Sequence, residues 1–391
     1  MRIVGVVAEY NPLHRGHAYQ LQAAREAAKA DYVLAVMSGC FTQRGDAALL
    51  SPVTRAEMAL CSGADAVILL PALWSVRDAE HFALGSVSLL AALGADALSF
   101  GAENASAEAL TTAAQVLETS SDALNRAVNV YLAQGLGYPS AMAKACEDLH
   151  PGVGSMLASP NNTLGICYLR ALRRLGTSME VFPIQRKGDY HASDFSEQMP
   201  SATAVRSGIL RGAWQRAYAA MPEACASLLR QESLAGHIHR PDALDHALMY
   251  RLRTMTAADY GALPGISEGI DDRLHRAARQ CCTKVALLDE ASTRRYPRAR
   301  LNRLCAHALL GVTQQDVEET PLPTAALLLG FRRDAAPLLS RLAQGTVPLV
   351  GRASEYPAAR WLDIEAAAWD VWGLGCGMPA GGLYTRSVVK V

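Results

Sequence analysis

Short apolar runs alternate with amphipathic segments of helix length through the first hundred residues. The runs are bounded by Gly, Pro or Asp and lie at 3–7, 32–37, 66–70 and 97–100. Between them apolar residues recur at helical spacing, which predicts helices at about 14–30, 53–62, 75–93 and 105–118. Because parallel strands need a crossover connection, usually a helix, this alternation predicts an α/β fold with a Rossmann-like parallel sheet.

The pattern changes near residue 212. Before that point we expect a loop-rich stretch after 118, a helix at about 162–175 and a fifth strand at 179–184. Beyond it the spacing of apolar residues predicts helices at about 214–231, 241–255, 268–288, 298–311 and 355–372. A length of 391 residues suits two units. We therefore predict a sheet-containing domain at 1–211 and a mostly α-helical domain at 212–391.

Composition limits the class of protein. Half of the residues are hydrophobic, yet no run approaches about 20 apolar residues without a charge, which argues against a membrane span. The apolar N-terminal residues run directly into Glu9 and lack the long apolar region of a signal peptide. The nine cysteines are scattered, odd in number and without a CxxC pair. We expect a soluble cytoplasmic protein without a metal held by protein ligands.

The balance of charge gives no general sign of a nucleic-acid partner. Lysine and arginine total 37, and so do aspartate and glutamate, which makes the formal net charge zero. A chain of this charge has no overall field that attracts nucleic acid. Such a contact has to be local, and one arginine-rich run stands out between 284 and 303.

The segment after the first strand carries the strongest chemical signal. His14, Gly16 and His17 form an HxGH sequence where that strand gives way to a helix. Two histidines three residues apart share one helix face, and in the first turn they lie beside free N–H groups that stabilise an anion. Such donors suit the departure of pyrophosphate, so His14 and His17 are predicted catalytic residues of ATP-dependent nucleotidyl transfer. The alternative is a pair of solvated residues at a helix start.

Further motifs follow in order along the chain. They are GVVAEYNPLHRGH at 5–17, MSG at 37–39, QRG at 43–45, GAD at 63–65, FG at 100–101, SPNN at 159–162, and Arg186 with DYH at 189–191. Together they resemble the bacterial tRNA(Met) cytidine acetate ligases, a family of the HxGH nucleotidyltransferase superfamily, over essentially the whole chain. The chain departs from that pattern at Leu69, where the family often has the Glu of ELP, and at Ala102, where it often has the Ser of FGSE.

The resemblance implies an ATP-binding site in the first domain, with Mg²⁺ accompanying the nucleotide. The implied ATP contacts are Val7, Ala8, Glu9, Tyr10, Asn11, Pro12, Leu13, Arg15, Gly16, Ala18, Tyr19, Gln20, Gly101, one of Asn161 and Asn162, Arg186 and Lys187. The segment 201–206 is similar to the superfamily's phosphate-cradling helix start, which adds Arg206. From the residues alone, Gly101 could equally be a turn glycine and either asparagine a helix cap.

The same resemblance implies the reaction. It is an ATP-dependent ligase reaction that activates acetate as acetyl-adenylate and acetylates N4 of the wobble cytidine of elongator tRNA(Met), with release of AMP and pyrophosphate. The anticodon arm then has to be held by phosphate contacts while the base is unstacked. The arginine-rich run suits that task, with predicted RNA contacts at Arg294, Arg295, Tyr296, Arg298, Arg300 and Arg303. A solvated basic helix face is the alternative.

Two other functions compete with this one. An adenylyltransferase acting on a phosphorylated small molecule would use the same HxGH chemistry but would not need the helical half. A non-catalytic RNA-binding protein on the same fold would be favoured by loss of His14 or His17, and both are present. The residues alone do not specify the acyl donor, the tRNA or the oligomeric state.

Overall fold

A mixed sheet lies at the centre of the computed structural model, which describes residues 1–104, 106–119, 121–186, 200–267 and 269–391. Its strands are β1 (Ile3–Ala8), β2 (Tyr32–Ser38), β3 (Ala66–Leu70), β4 (Ala97–Ala102), β5 (Glu180–Gln185), β6 (Ala326–Phe331), β7 (Leu349–Val350) and β8 (Val389–Lys390). Their order is β5-β4-β1-β2-β3-β6-β7, with β8 paired to β6. Strands β1 to β5 are parallel, whereas β6 runs antiparallel to β3.

The chain reverses its direction of travel across the sheet at β1. It proceeds from β1 to β2 and β3 on one side and then returns to β4 and β5 on the other. Val4 accordingly pairs with Val33 on one side and with Ala97 on the other. The five strands predicted from the apolar runs are confirmed, and so is the α/β fold. In sheets of this kind ligands bind outside the carboxyl ends of the strands at the reversal point, here between β1 and β4.

Helices of the first half connect and cover these strands. They are α1 (Arg15–Ala28), α2 (Pro52–Cys61), α3 (Ala72–Ser75), α4 (Ala79–Ala92), α5 (Ala107–Thr119), α6 (Ser121–Ala133), α7 (Tyr138–Leu149), α8 (Val153–Leu157) and α9 (Pro160–Leu175). The expectation of a loop-rich stretch after 118 was wrong, because α6, α7 and α8 occupy it. The glycines at 135, 137 and 152 lie between these helices, of which α6 has 13 residues and α7 has 12. Apolar residues of this stretch, such as Leu124 and Val128, are buried.

The second half is mostly helical, as its spacing of apolar residues predicted. Its helices are α10 (Ala202–Leu210), α11 (Trp214–Ala219), α12 (Glu223–Leu234), α13 (Asp245–Thr254), α14 (Ala257–Gly261), α15 (Ile270–Gln280), α16 (Lys284–Ala291), α17 (Arg298–Leu310), α18 (Gln314–Glu319), α19 (Ala336–Leu342), α20 (Arg360–Leu374) and α21 (Gly382–Thr385). A second hydrophobic cluster joins α13, α15, α16 and α17 through fully buried leucines such as Leu252, Leu274 and Leu301. Within the described ranges, no helix has the length and apolar character to cross a bilayer.

Strand β6 was not predicted. Its residues ALLLGF form a short apolar run that periodicity cannot distinguish from buried helix, and they follow a long helical segment. In the fold β6 pairs with β3, so that Ile68 lies opposite Leu328 and Leu69 opposite Leu327. Strands from both sides of residue 212 therefore share one sheet, and the division of the chain into two domains at that point stays a prediction.

Candidate active site

The turn from β1 into α1 orients both histidines. His14 is the N-cap residue of α1, and its Nδ1 accepts a hydrogen bond from the Gly16 backbone N–H at 3.0 Å. His17 Nδ1 accepts in turn from the His14 backbone N–H at 3.4 Å. A ring nitrogen that accepts carries no proton, so a neutral imidazole here is protonated on Nε2. The two rings, with centroids 4.0 Å apart, therefore keep two Nε2–H donors for a ligand.

Both imidazoles are held in the neutral form. Burial, followed by the charges of Arg186 and Arg206, lowers the pKa of His14 to about 3. Burial, then His14 and the same two arginines, holds the pKa of His17 well below its usual range. A bound phosphate would raise both pKa values, since an anion favours the protonated ring. The positive potential at this turn therefore comes from the two guanidinium groups, while the histidines contribute directed donors.

Tyr10 supports the same turn. Its φ of 46° lies in the left-handed region, which residues other than glycine rarely adopt. The side chain is 1% exposed, and its ring meets the His17 ring edge-on with centroids 5.2 Å apart. Backbone strain of this kind persists where the surrounding structure imposes it and is frequent at functional sites. Tyr10 thereby packs the His17 ring in place.

A cavity of about 880 Å³ opens beside these histidines at the carboxyl ends of the strands. Sites for small molecules occupy roughly 300–1,000 Å³, so this cavity is at the large end of that range. Its lining includes the predicted residues Val7, Ala8, Glu9, Tyr10, Asn11, His14, Gly16, His17, Tyr19, Gln20, Gly101, Asn161, Arg186 and Arg206. The structure thus brings most of the predicted ATP contacts to one cavity, at the point where the sheet reverses.

Gly101 and Arg186 form the wall beyond β4. The Arg186 backbone N–H donates to the Ala102 carbonyl at 3.0 Å, which places the arginine directly after β5 and beside β4. A Cβ on Gly101 would lie 3.4 Å from Arg186 Cγ. The bare backbone of Gly101 therefore leaves space that a side chain would fill, against which a flat ring can pack. Lys187 lies outside the described residues.

The two asparagines differ in position. The backbone N–H groups of Asn161 and Asn162 donate to the two Glu103 carboxylate oxygens at 3.3 and 2.9 Å, which fixes the start of α9. Asn162 is 3% exposed, and its Oδ1 accepts from the Asn104 backbone N–H at 3.0 Å. Asn161 lines the cavity, whereas Asn162 does not. The side chain of Asn162 thus joins α9 to the loop after β4. Asn161 Nδ2 donates to Glu103 Oε1 at 2.5 Å, and this side chain, on the cavity lining, is the one that can reach a ligand.

The start of α10 forms a further wall. Ser201 is its N-cap, with Oγ accepting from the Ala204 backbone N–H at 3.1 Å. Arg206, one turn later, donates to the Asn11 carbonyl and to Thr203 Oγ1, the latter at 3.2 Å. Arg206 thus joins α10 to the loop that precedes His14. Its guanidinium lies close enough to influence both histidines electrostatically.

Some predicted ATP contacts lie away from the cavity. The structure leaves Pro12, Leu13, Arg15, Ala18 and Asn162 out of the lining. Leu13 is fully buried in the core, and Arg15 Nε donates instead to the Ala219 carbonyl at 2.9 Å. The resemblance named this whole stretch of chain, but neighbouring residues on a helix point in different directions, so a single cavity cannot contact all of them.

The residues predicted to contact RNA also differ in their surroundings. Tyr296 is 8% exposed within the second hydrophobic cluster, so its ring is not available as a stacking platform for a base. Arg298 pairs with Asp289, and Arg300 donates to the Gly265 carbonyl and Ser267 Oγ, both at 2.7 Å. Arg294 and Arg295 are exposed. Arg303, in contrast, lines the cavity.

Arg55 is an important residue that the sequence did not reveal. It lies on α2 with no exposed surface, and its guanidinium donates to three backbone carbonyls: those of Leu50 at 3.1 Å, Glu9 at 2.6 Å and Gly39. It therefore connects the loops after β1 and β2. Nothing in its sequence context distinguishes it from an exposed helix arginine.

Glu365 of α20, in the second half of the chain, meets the loop after β2 and the start of α3. Its Oε2 accepts from the Ala72 backbone N–H at 2.6 Å and its Oε1 from Trp369 Nε1 at 2.9 Å. A Cβ on Gly39 would lie 2.6 Å from Oε1, so this approach requires glycine. Burial raises the pKa of Glu365 to about 7, while its hydrogen bonds and the charges of Arg386 and Arg55 oppose that shift.

Comparison with known proteins agrees with this geometry. The family model described as HIGH Nucleotidyl Transferase matches residues 1–377. The tRNA(Met) cytidine acetate ligase of Bacillus velezensis is 33% identical, covering 99% of this chain and 95% of its own. That of Acetivibrio thermocellus is 31% identical over the full length of both chains.

Solved structures show the same fold. Thermotoga maritima TmcAL without ligand superimposes with a TM-score of 0.92 at 27% identity, covering 100% of both chains. The same protein bound with alpha-thio ATP has a TM-score of 0.90 at 27% identity, covering 100% of this chain and 99% of that one. With its HxGH turn, its sheet reversal and these full-length likenesses, the chain belongs to the tRNA(Met) cytidine acetate ligase family of HIGH nucleotidyl transferases.

Proposed function

We propose that this chain is an ATP-dependent ligase that activates acetate as acetyl-adenylate and transfers the acetyl group to N4 of the wobble cytidine of elongator tRNA(Met). The observation that carries the proposal is the pair of neutral imidazole donors at the start of α1, inside a cavity flanked by Arg186 and Arg206. Family membership supplies the reaction that these groups serve.

In the first step a carboxylate oxygen of acetate attacks the α-phosphorus of ATP. A new P–O bond forms, the bond to the β-phosphate oxygen breaks, and pyrophosphate leaves. The Nε2–H groups of His14 and His17 would donate to phosphate oxygens as negative charge grows on them, and Arg206 would neutralise the departing pyrophosphate. No nucleophile from the protein is needed, because acetate itself attacks.

In the second step the cytidine N4 amine attacks the acetyl carbonyl carbon. The C–O bond to AMP breaks, a C–N bond forms, AMP leaves and N4 loses one proton. This requires the base to leave its stack and reach the adenylate. A cavity near 880 Å³ offers space beside the nucleotide for such an acceptor.

Mg²⁺ would accompany the triphosphate. Among the described residues no group of three His, Cys, Asp or Glu side chains could hold a metal. Mg²⁺ commonly binds to substrate phosphates, one or two carboxylates and water, so it would arrive with ATP. We place the enzyme in the cytoplasm, where its tRNA substrate is charged and used.

The reaction can be tested directly. Incubating the protein with ATP, radiolabelled acetate and total tRNA, then digesting the RNA to nucleosides, should place the label in N4-acetylcytidine. Omission of ATP should abolish the label. If ATP is consumed with a phosphorylated small molecule while RNA stays unlabelled, the protein is instead an adenylyltransferase, and the ligase assignment fails.

We assign the ATP contact to Asn161 rather than Asn162. Asn161→Ala should raise the KM for ATP about tenfold, the usual effect of losing one hydrogen bond to a charged group. Its effect on stability should be limited to the loss of the hydrogen bond from Asn161 Nδ2 to Glu103 Oε1. Asn162→Ala should instead lower stability, because Asn162 is buried and its loss leaves the Asn104 backbone N–H without its acceptor. Steady-state kinetics and thermal unfolding of both variants separate the two roles. A larger KM effect from Asn162→Ala would reverse the assignment.

A further inference from the structure

The cavity has two sides with respect to β1. On one side lie the end of β4 and the residues after β5, including Gly101 and Arg186, which suit the nucleotide. On the other side lie the loops after β2 and β3, together with residues of α13 and α17. His14 and His17 follow β1 and stand between the two sides. The β2–β3 side therefore offers a place for a substrate that reacts with the nucleotide, across the two histidines from Gly101 and Arg186.

The loop after β2 is fixed to α17. Gly45 has a φ of 85°, and a Cβ there would lie 2.7 Å from the Asn302 carbonyl oxygen and 2.8 Å from the Arg303 nitrogen. Asn302 Nδ2 donates to the Arg44 carbonyl at 2.9 Å and to Asp46 Oδ1 at 2.8 Å. Loop and helix therefore act as one unit. That unit carries both Arg44 and Arg303 on the lining of the cavity.

Positive charge concentrates at this point. Burial lowers the pKa of Arg303; among the neighbouring charges Asp78 acts most strongly and raises this pKa, while Arg300, Arg44 and Arg77 lower it. The carboxylates on this side also have other partners: Asp78 contacts His81 Nδ1 at 2.8 Å, Asp46 contacts Lys284 Nζ at 3.2 Å, and Asp245 accepts from the Lys284 backbone N–H at 3.2 Å. Several guanidinium groups close together favour an anionic ligand with more than one oxygen acceptor.

Apolar side chains lie on the same side of the cavity. Ala47 follows β2, and Ala299 and Leu309 belong to α17; all three line the cavity and are partly exposed. A phosphodiester next to an unstacked base combines an anion with a flat, largely apolar ring. The arginines and the apolar wall match these two parts.

We propose that the β2–β3 side of the cavity binds the acceptor nucleotide, and that Arg44 and Arg303 bind the RNA phosphates that flank this nucleotide. This inference rests on the proposed function and adds to it the surface that receives the RNA. Of the arginine-rich run predicted to contact RNA, this inference selects Arg303, the residue that lines the cavity.

The test compares Arg44→Gln and Arg303→Gln with Arg279→Gln, a control that removes an exposed arginine of α15. Binding of elongator tRNA(Met) transcript is measured by filter retention between about 50 and 200 mM salt. Each of the first two variants should bind about tenfold more weakly, and the slope of log K against log salt should fall by about one. Arg303→Lys should restore much of the slope, since the charge is kept. The control should match the unmodified protein.

A second measurement separates this proposal from the proposed function. Acetate-dependent exchange of labelled pyrophosphate into ATP needs no RNA, and all these variants should retain it. If Arg303→Gln and Arg44→Gln abolish exchange, the arginines serve ATP and the proposal fails; it also fails if tRNA binding is unchanged. If the unmodified protein shows no acetate-dependent exchange, the ligase function fails, while the binding data still decide where RNA sits.

Discussion

Replacing either His14 or His17 by alanine should lower the rate of acetyl-adenylate formation by about two to three orders of magnitude, the usual cost of one transition-state donor. Each imidazole is neutral and oriented through Nδ1 by a backbone N–H, so its Nε2–H is aligned before the substrate arrives. Water in the space left by the ring would not be held in that direction. Acetate-dependent pyrophosphate exchange into ATP measures this step without RNA.

A matched control exists on the same helix. Gln22 is exposed on α1 and donates to Glu26 Oε1 at 2.9 Å, so Gln22→Ala should leave exchange unchanged. ATP binding should weaken much less than the rate in both histidine variants, because the donors act chiefly on charge that develops during transfer. If His14→Ala or His17→Ala kept a near-normal rate of pyrophosphate exchange, the replaced histidine would not be a catalytic residue.

Arg55→Met should destabilise the protein by about 3 kcal/mol or more, because each buried carbonyl left without its donor costs about 1–3 kcal/mol. The variant keeps similar volume but leaves the Glu9, Gly39 and Leu50 carbonyls without their donor. It also removes a positive charge that favours the ionised form of buried Glu365. The midpoint and slope of urea unfolding give the change in the free energy of unfolding.

The corresponding control is Arg279→Met, which removes an exposed arginine from α15 and should change stability by no more than about 0.5 kcal/mol. In Arg55→Met, the loss should extend to adenylate formation, since the loops after β1 and β2 form part of the cavity. If Arg55→Met changes the free energy of unfolding by no more than about 0.5 kcal/mol, Arg55 does not hold these loops together.

The parts of the fold that sequence predicted are those with a local cause. The strands β1 to β5 are short apolar runs with clear boundaries, and the HxGH turn is a continuous segment whose helix start is specified by its own residues. The helices α6 to α8 and the strand β6 were missed because glycines or a run of leucines carry ambiguous local signals.

Residues of the same type also show what the local sequence does not predict. Asn161 and Asn162 are adjacent, yet Asn161 lines the cavity and Asn162 joins α9 to the loop after β4. Arg55 is fully buried, whereas arginines of similar local context, such as Arg279, are exposed. Tyr296 fits a stacking role by residue type, but its ring is packed in a core. Burial depends on what arrives from distant segments, which spacing along the chain does not encode.

The amino-acid sequence alone determined the α/β class, the strand-to-helix turn with His14 and His17, and the family resemblance, because these depend on periodicity and on contiguous residues. Only the tertiary structure decided which side chains share the cavity and which loops Arg55 and Glu365 join. It also placed Arg303 beside the loop after β2. The contacts of Glu365 with Ala72 and of Asn302 with Arg44 link segments 293 and 258 residues apart. They form when the sheet brings its carboxyl edge against the later helices.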